Sequence, residues 1–570
     1  MTATLLSLPL PAPKKEASSQ DHKHWGQLQG SSAALCISQA LSQYKGPIVL
    51  ITADTPSAMK LEKEIAFFLS DNTKHTPITL FPDWETLPYD SFSPHQDIVS
   101  QRLETLFRFT QQGEGIFIVP VNTLMQRLAP TDYLAKYLLM LNKGDTLDRD
   151  QFRRNLEQAG YLHVSQVMSH SEFSVRGSII DLFPMGSDQP FRIDLFDDEI
   201  DSIRYFDTET QRSGEAVNEI RLLPAREFPT DKEAITLFRQ QFLEKFDANN
   251  ASESVFSQVS KGTMPSGVEY YLPLFFEKTA TLFDYLHPKS LLLLHGDVQD
   301  ASEFFWADVQ ERYEQYRYNL ARPLLAPDEL FLPINELFGA IKQWPRASLS
   351  SKVLEEKQGS TNLQCEKLDD IAINSQKKVP AERLIKTVNQ ATDNGAKVLF
   401  CAETQGRREG LLTVLAKAGI KPKIVDSFSD FIASHDAIGI TVGMVDNSFR
   451  WQTQEGELLF ITETELLGQK VSQRRLRDKR TATDESAIIR NLAELSIGQP
   501  VVHLDHGVGR YLGLQTLDAG GVATEYLCIE YAKQSKLYVP VASLHLISRY
   551  TGGDADSAPV SALGSDAWTK

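Results

Sequence analysis

An acidic string, DEID at Asp198–Asp201, is the place where this 570-residue chain spells a nucleotide-hydrolysis motif. In proteins that use such a box it holds the magnesium of a bound nucleotide, so it needs a phosphate-binding loop elsewhere in the chain. That loop, GxxxxGK[ST], cradles phosphates with backbone N–H groups and a lysine. The dipeptide Gly-Lys occurs nowhere in the sequence. At the place where such a loop would open the first helix, the chain reads WGQLQGSSAALCIS (Trp25–Ser38). Gly30, Ser31 and Ser32 suit a helix start, but the lysine is missing. DEID also lies among alternating strands and not after a buried parallel strand. It reads as a solvated acidic turn, and nucleotide chemistry is not expected.

Other candidate constellations are equally thin. His503 and His506 have HxxH spacing without a third ligand nearby, so a turn-stabilising role is expected and no metal. Asp90, Ser91 and His95 lack a nucleophile-elbow context, which argues against hydrolase chemistry. Cys36, Cys365, Cys401 and Cys528 stand far apart with no CxxC, which points to reduced thiols and a cytoplasmic setting. No catalytic residue, cofactor or metal is expected in this chain, and the reading is that it is not an enzyme.

The elements that would carry any site alternate between helix and strand. The apolar share of 42% is ample for packed cores, and the length implies several domains. Residues 1–24 are expected to be a disordered lead-in. A first α/β part follows over 25–137: a helical stretch Ala33–Gln43, buried strands Pro47–Asp54 and Gly115–Val121, and helices Ala58–Leu69 and Thr123–Arg127. Apolar strands alternating with helices imply a parallel sheet. Over 138–223 the pattern becomes antiparallel α+β. The α/β text resumes over 224–354, and a polar linker is expected at 355–376. A small α/β domain spans 377–469, with no role assigned to it. A basic connector covers 470–496, and its Lys470, Arg474, Arg475, Arg477, Lys479 and Arg480 read as a solvated linker helix in preference to a nucleic-acid site. Short strands between turns over 497–552 predict a small SH3/Tudor-like β-barrel, followed by a tail at 553–570. The N-terminus lacks a basic region typical of signal peptides, and no apolar run approaches the ~20 residues of a membrane span. The formal net charge of −17 argues against unassisted binding to a phosphate backbone.

Two places offer contact residues. Alternation along Pro190–Asp197 puts Phe191, Ile193 and Leu195 on one face, a natural core, and Arg192, Asp194 and Phe196 on the other. Arg176 falls in the polar set of its own strand. Exposed Arg and Phe are residue types that dominate interfaces; ordinary surface charge with partial burial under a loop is the competing reading, and periodicity alone favours it. In the C-terminal module, Leu512 and Leu514 share one parity, expected to be core. Leu517 has the other, beside the DAGG turn (Asp518–Gly521). Such a residue either packs under the loop or sits on an edge strand that accepts a partner's strand.

Longer blocks carry a resemblance. VVHLDHGVGRY (Val501–Tyr511) with LYVPV (Leu537–Val541) is similar to the CarD-like RNA-polymerase-interacting domain of the bacterial transcription-repair coupling factor (Mfd) family. FPDWETLPYDSFSPHQDIVSQRL (Phe81–Leu103), VPVNTLMQR (Val119–Arg127), VRGSIIDLFPMGS (Val175–Ser187) and LFDDEID (Leu195–Asp201) resemble the same family in the same order. The resemblance runs from about Trp25 to the C-terminus.

It implies a multidomain α/β chain. A degenerate UvrB/helicase-like domain is split by the antiparallel α+β insert, then come the second small α/β domain and the C-terminal barrel. It also reverses the reading of Arg176, Arg192 and Phe196, which match the surface that binds the repair protein UvrA. Leu517 matches a contact with the RNA polymerase β subunit. The chain is then expected to be the N-terminal half of a factor whose ATP- and magnesium-using motor, the main contact with duplex DNA, is absent. An adaptor half that binds stalled polymerase and recruits UvrA, cytoplasmic and monomeric, is the expectation. A stand-alone CarD-like regulator and an autonomous ATPase or helicase are the alternatives.

Overall fold

The computed structural model describes residues 7–12, 21–69, 76–111, 114–246, 254–368, 370–373, 381–453, 456–467, 497–503, 506–518, 523–540, 546–550 and 558–563. The basic connector therefore lies outside the described residues, as do the DAGG glycines and most of the lead-in and tail.

The first unit is built on a seven-stranded parallel sheet. Its order is Ser360–Asn362, His22–Gly26, Arg346–Leu349, Leu291–His295, Ile48–Thr52, Ile116–Pro120 and Ile78–Leu80. Every residue of Ile48–Thr52 and Ile116–Pro120 is buried, as a strand covered on both faces requires. The helix Thr55–Phe68 starts on an Asp54 side chain that accepts from the Ser57 N–H, with proline in its first turn.

The chain leaves this unit and returns through a short antiparallel stem, Leu139–Asn142 against Glu219–Leu222. The insert between is a six-stranded sheet in the order Ser213–Val217, Glu199–Phe206, Phe191–Phe196, Ile179–Leu182, Glu172–Arg176 and Leu162–His163. All its pairs are antiparallel except the last, which is parallel. One core runs from Val49, Ile51 and Phe117 of the parallel sheet through Leu141 into Ile180 and Ile193 of the insert. The chain's return from the insert is fixed by Arg102, fully enclosed on the Gln96–Gln111 helix. It donates to both oxygens of buried Glu227 at 2.7 and 3.1 Å and to the Pro82 carbonyl at 2.7 Å, and lies over the Phe81 ring.

Residues 355–376, expected as a linker, lend a strand to each of two sheets. Ser360–Asn362 pairs with His24–Gly26, and Cys365–Glu366 pairs with Arg450–Trp451. The second of these belongs to a mixed sheet ordered Cys365–Glu366, Phe449–Thr453, Gly456–Thr462, Lys397–Ala402, Ile438–Val442 and Lys423–Ile424. Phe67 and Phe68 of the first unit pack edge-on against Phe428 and Phe460 of this one, so the two units share a core.

The C-terminal module is a five-stranded antiparallel sheet ordered Lys536–Pro540, Ala523–Glu530, Gly507–Asp518, Pro500–His503 and Ile547–Arg549. The closed SH3/Tudor-like barrel expected from the sequence is not found among the described residues. The last strand, Ile547–Arg549, has three residues and among the described residues pairs with Val501–His503 alone, which leaves it and Lys536–Pro540 as the two edges there.

Candidate interaction surfaces

Two tight hairpins set the outer face of the insert. Arg176 pairs with Ile179 around the Gly177–Ser178 turn, where Gly177 has φ +62°. Phe196 pairs with Glu199 around Asp197–Asp198, where Asp197 has φ +55°. The DEID string is therefore a hairpin tip and the strand after it. Its Asp198, Glu199 and Asp201 are exposed and its Ile200 is buried. The Leu195 N–H donates to the Ser178 carbonyl, so Arg176 and Phe196 stand at the same end of the sheet.

Strand register puts Arg176, Asp181, Arg192, Asp194 and Phe196 on one face and Ile180, Ile193 and Leu195 on the opposite, buried one. Phe196 is 75% exposed. Arg192 is not: its side chain is 14% exposed against an Asp181 that is 1% exposed. It donates from Nε and Nη2 to the two Asp181 oxygens at 2.7 and 2.9 Å. It also donates from Nη1 to the Gln211 carbonyl at 3.0 Å and lies over Phe206. The Asp181 bonds raise the Arg192 pKa above its ordinary value, so the charge is held firmly. Arg176 donates from Nη2 to the same carboxylate and keeps half its side chain exposed. Arg192, expected on the outward face, is there but largely enclosed by this clasp.

At the start of the first helix, Ser32–Gln43, the place of a phosphate loop is filled by protein. Gly30 has φ +60°, and a Cβ there would stand 2.3 Å from the Ser448 carbonyl oxygen. The Ser31 hydroxyl donates to Glu64 at 2.6 Å and accepts from the Asn447 N–H at 3.1 Å. The Asp446 N–H donates to the same Glu64 oxygen at 3.3 Å. Burial raises the Glu64 carboxyl above its ordinary range, with Lys60 and these hydrogen bonds opposing. The Asp446–Ser448 loop of the mixed sheet thus packs directly over the start of this helix.

In the C-terminal sheet, the pairing slips between Tyr511 and Gly513, and Gly513 has φ +115°. The bulge shifts the alternation, so that Tyr511 and Leu514 share a face. Tyr511, not Leu512, enters the core beside Ile529 and Leu527, and Leu514 is 42% exposed. The expectation that Leu512 and Leu514 are core residues is corrected accordingly. Leu517 pairs with Thr524 through the backbone, and its side chain lies outside the described residues. Beyond Tyr511, this strand is paired on one side among the described residues: Pro500–His503 reaches only Gly507–Arg510. The His503 and His506 rings lie 4.7 Å apart, tilted by 40°, and no cluster of three potential metal ligands occurs among the described residues.

Comparison with known families and proteins now bears on these surfaces. A UvrB interaction domain matches residues 139–228, an MFD D3 domain 391–466, and a CarD-like/TRCF RID domain 495–551. The chain is 46% identical over 546 residues to the transcription-repair-coupling factor of Escherichia coli, covering 96% of this chain and 46% of that protein. With the Haemophilus influenzae factor the identity is 46% over 551 residues, covering 96% of this chain and 47% of that protein. The Bacillus subtilis factor is 27% identical over 566 residues, covering 95% and 46%. The chain is a relative of the transcription-repair-coupling factors. It spans about half the length of the curated relatives it matches.

Arg176, Arg192 and Phe196 lie within the UvrB interaction match, and Leu517 within the CarD-like match. The Asp446–Ser448 loop belongs to the D3 match. Asp181 and the Ser31–Glu64–Asn447 joint were not among the residues singled out from the sequence. Asp181 sits in an apolar strand, IIDL, and the signal for it was that polar intrusion; only the register opposite Arg192 reveals its use. Glu64 and Asn447 are hundreds of residues apart, and no local pattern joins them. All four cysteines are free and buried. No helix among the described residues is long and apolar enough to cross a membrane.

Proposed function

We propose that this chain is the adaptor part of a transcription-repair coupling factor. In this reading the outer face of the insert binds UvrA, and the open half of the Gly507–Asp518 strand, including Leu517, pairs with the β subunit of RNA polymerase. The observation that carries it is Phe196: a phenylalanine 75% exposed on a sheet face, at the same end as a half-exposed arginine. Large exposed aromatics beside arginine are the anchors that partner surfaces cover. The half-strand that is paired on one side only among the described residues supports the second contact, since unsatisfied N–H and C=O groups on an edge are a template for strand addition.

The chain itself, in this proposal, neither binds nor hydrolyses ATP. The missing Gly-Lys and the Asp446–Ser448 loop packed over the helix start support that reading. ATP, magnesium and most contact with duplex DNA are assigned to a motor elsewhere in the complete factor; the net charge of −17 fits that division. A cytoplasmic, monomeric protein completes the reading.

The test is capture of purified UvrA and of RNA polymerase by the purified chain, with ATP turnover measured alongside in the presence of duplex DNA. Capture of both, without turnover, is expected. Failure to capture UvrA removes the insert assignment, failure to capture polymerase removes the strand assignment, and DNA-stimulated turnover removes the adaptor reading.

A further inference from the structure

The clasp around Asp181 carries an assignment that deepens the UvrA-binding reading and rests on it. Asp181, 1% exposed, is too enclosed to touch a partner, yet it takes donors from two neighbouring strands. Arg192 closes on it with a bidentate fork, and its third nitrogen is directed to the Gln211 carbonyl. The guanidinium is further covered by Phe206. Arg192 therefore has almost no face left for a partner. Arg176 differs: one Nη2 contact anchors it to Asp181, and half of its side chain faces solvent at the end of the sheet where Phe196 stands.

We propose that Asp181 is a positioning residue of this surface. Fixed by Arg192, it holds the Arg176 guanidinium ready on the face that also carries Phe196, so that a partner's carboxylate or carbonyl meets a cation already in place. Arg192 acts through Asp181 and does not touch the partner. The physical gain is preorganisation. A free arginine loses much rotamer freedom when a partner immobilises it, and an arginine already anchored loses less. A planar fork is the side chain suited to pinning a carboxylate, whereas lysine supplies a single point charge on a mobile stem.

The experiment measures the Kd for purified UvrA of wild type, F196A, D181N, R176A, the double variant D181N/R176A, and R192K alone and with R176A, with thermal melts of each. R176A should weaken binding about tenfold or more. D181N should approach that loss, and R192K should fall between. If Asp181 and Arg192 act through Arg176, adding D181N or R192K to R176A should change the Kd by less than about threefold, because coupled residues are non-additive. General damage to the fold would instead add its loss in the R176A background. R192K keeps the charge and disturbs the sheet least, so it decides the matter if D181N melts too low to measure. Additive losses, or full binding by both D181N and R192K when R176A is impaired, overturn the positioning role and leave the UvrA surface standing. If wild type does not bind UvrA, or if neither R176A nor F196A weakens it, the surface reading itself falls and this assignment with it.

Discussion

Replacing Phe196 with alanine should separate binding from folding. Burying a whole phenylalanine side chain stabilises by about 1.5–3 kcal/mol. Phe196 is 75% exposed, so roughly three quarters of that area remains for a partner to cover. The available gain is about 1–2 kcal/mol, a Kd change of roughly fivefold to thirtyfold. The folded chain itself forfeits only the remaining quarter, well under about 1 kcal/mol, or a shift of about 2 °C at most in a protein of this size. The control is the preceding residue. Leu195 is 6% exposed on the core face, and its truncation to alanine should cost about 2–5 kcal/mol of stability. The assay is calorimetric titration with UvrA, paired with thermal melting of both variants. The reasoning is refuted if Phe196→Ala melts as low as Leu195→Ala, or if it binds UvrA as tightly as wild type.

Three further outcomes follow from buried groups. Tyr511→Ala should destabilise the C-terminal sheet by about 3 kcal/mol or more, whereas Leu514→Arg should be tolerated, because Tyr511 is 5% exposed in the core and Leu514 is 42% exposed; equal losses in urea unfolding would show that Leu514 is packed as tightly as Tyr511. Arg102→Ala strands the buried Glu227 carboxylate and should cost about 3–5 kcal/mol in denaturant titration; a loss under about 1 kcal/mol would mean that the pair is not sealed from water. His295, whose enclosed Nδ1 has no hydrogen-bond partner, has its pKa pushed down to about 4 by burial, with Lys60 adding to the effect and Asp54 opposing it. The unfolded chain then takes up the proton first, so stability is intact above the ordinary value of 6.5 and falls as pH drops from there toward about 4. His22, also lowered to about 4, adds to the same slope. His295→Gln should flatten the curve by part of that amount in pH-dependent melts, and an unchanged slope would sink the argument.

Much of the scaffold was legible without coordinates. Apolar runs such as Ile48–Thr52 and Ile116–Pro120 can only be strands covered on both faces, so the parallel sheet followed from them. Alternation through Phe191, Ile193 and Leu195 marked the insert's core face and, by exclusion, Phe196 as outward. The absence of Gly-Lys is likewise a property of the sequence alone. These are local signals, because burial with period two or in an unbroken run is written residue by residue.

What local signals could not carry was decided by pairing between distant segments. Register placed Asp181 against Arg192, which turned an apparently free arginine into half of a clasp. A single slipped residue after Tyr511 set Leu514 opposite Leu527, on the face that Tyr511 shares, yet Leu514 stays 42% exposed: which stretch of a face is covered is decided by what packs on it, not by the strand's own alternation. Residues 355–376 read as linker because their strands are two and three residues long, too short to show a period. They gain their hydrogen bonds from sheets formed by residues far away in the chain. The seating of Asp446–Ser448 on Gly30 and Ser31 joins segments more than four hundred residues apart. Periodicity encodes which side of an element is buried; which element lies opposite, and in what register, is settled only when the whole chain packs.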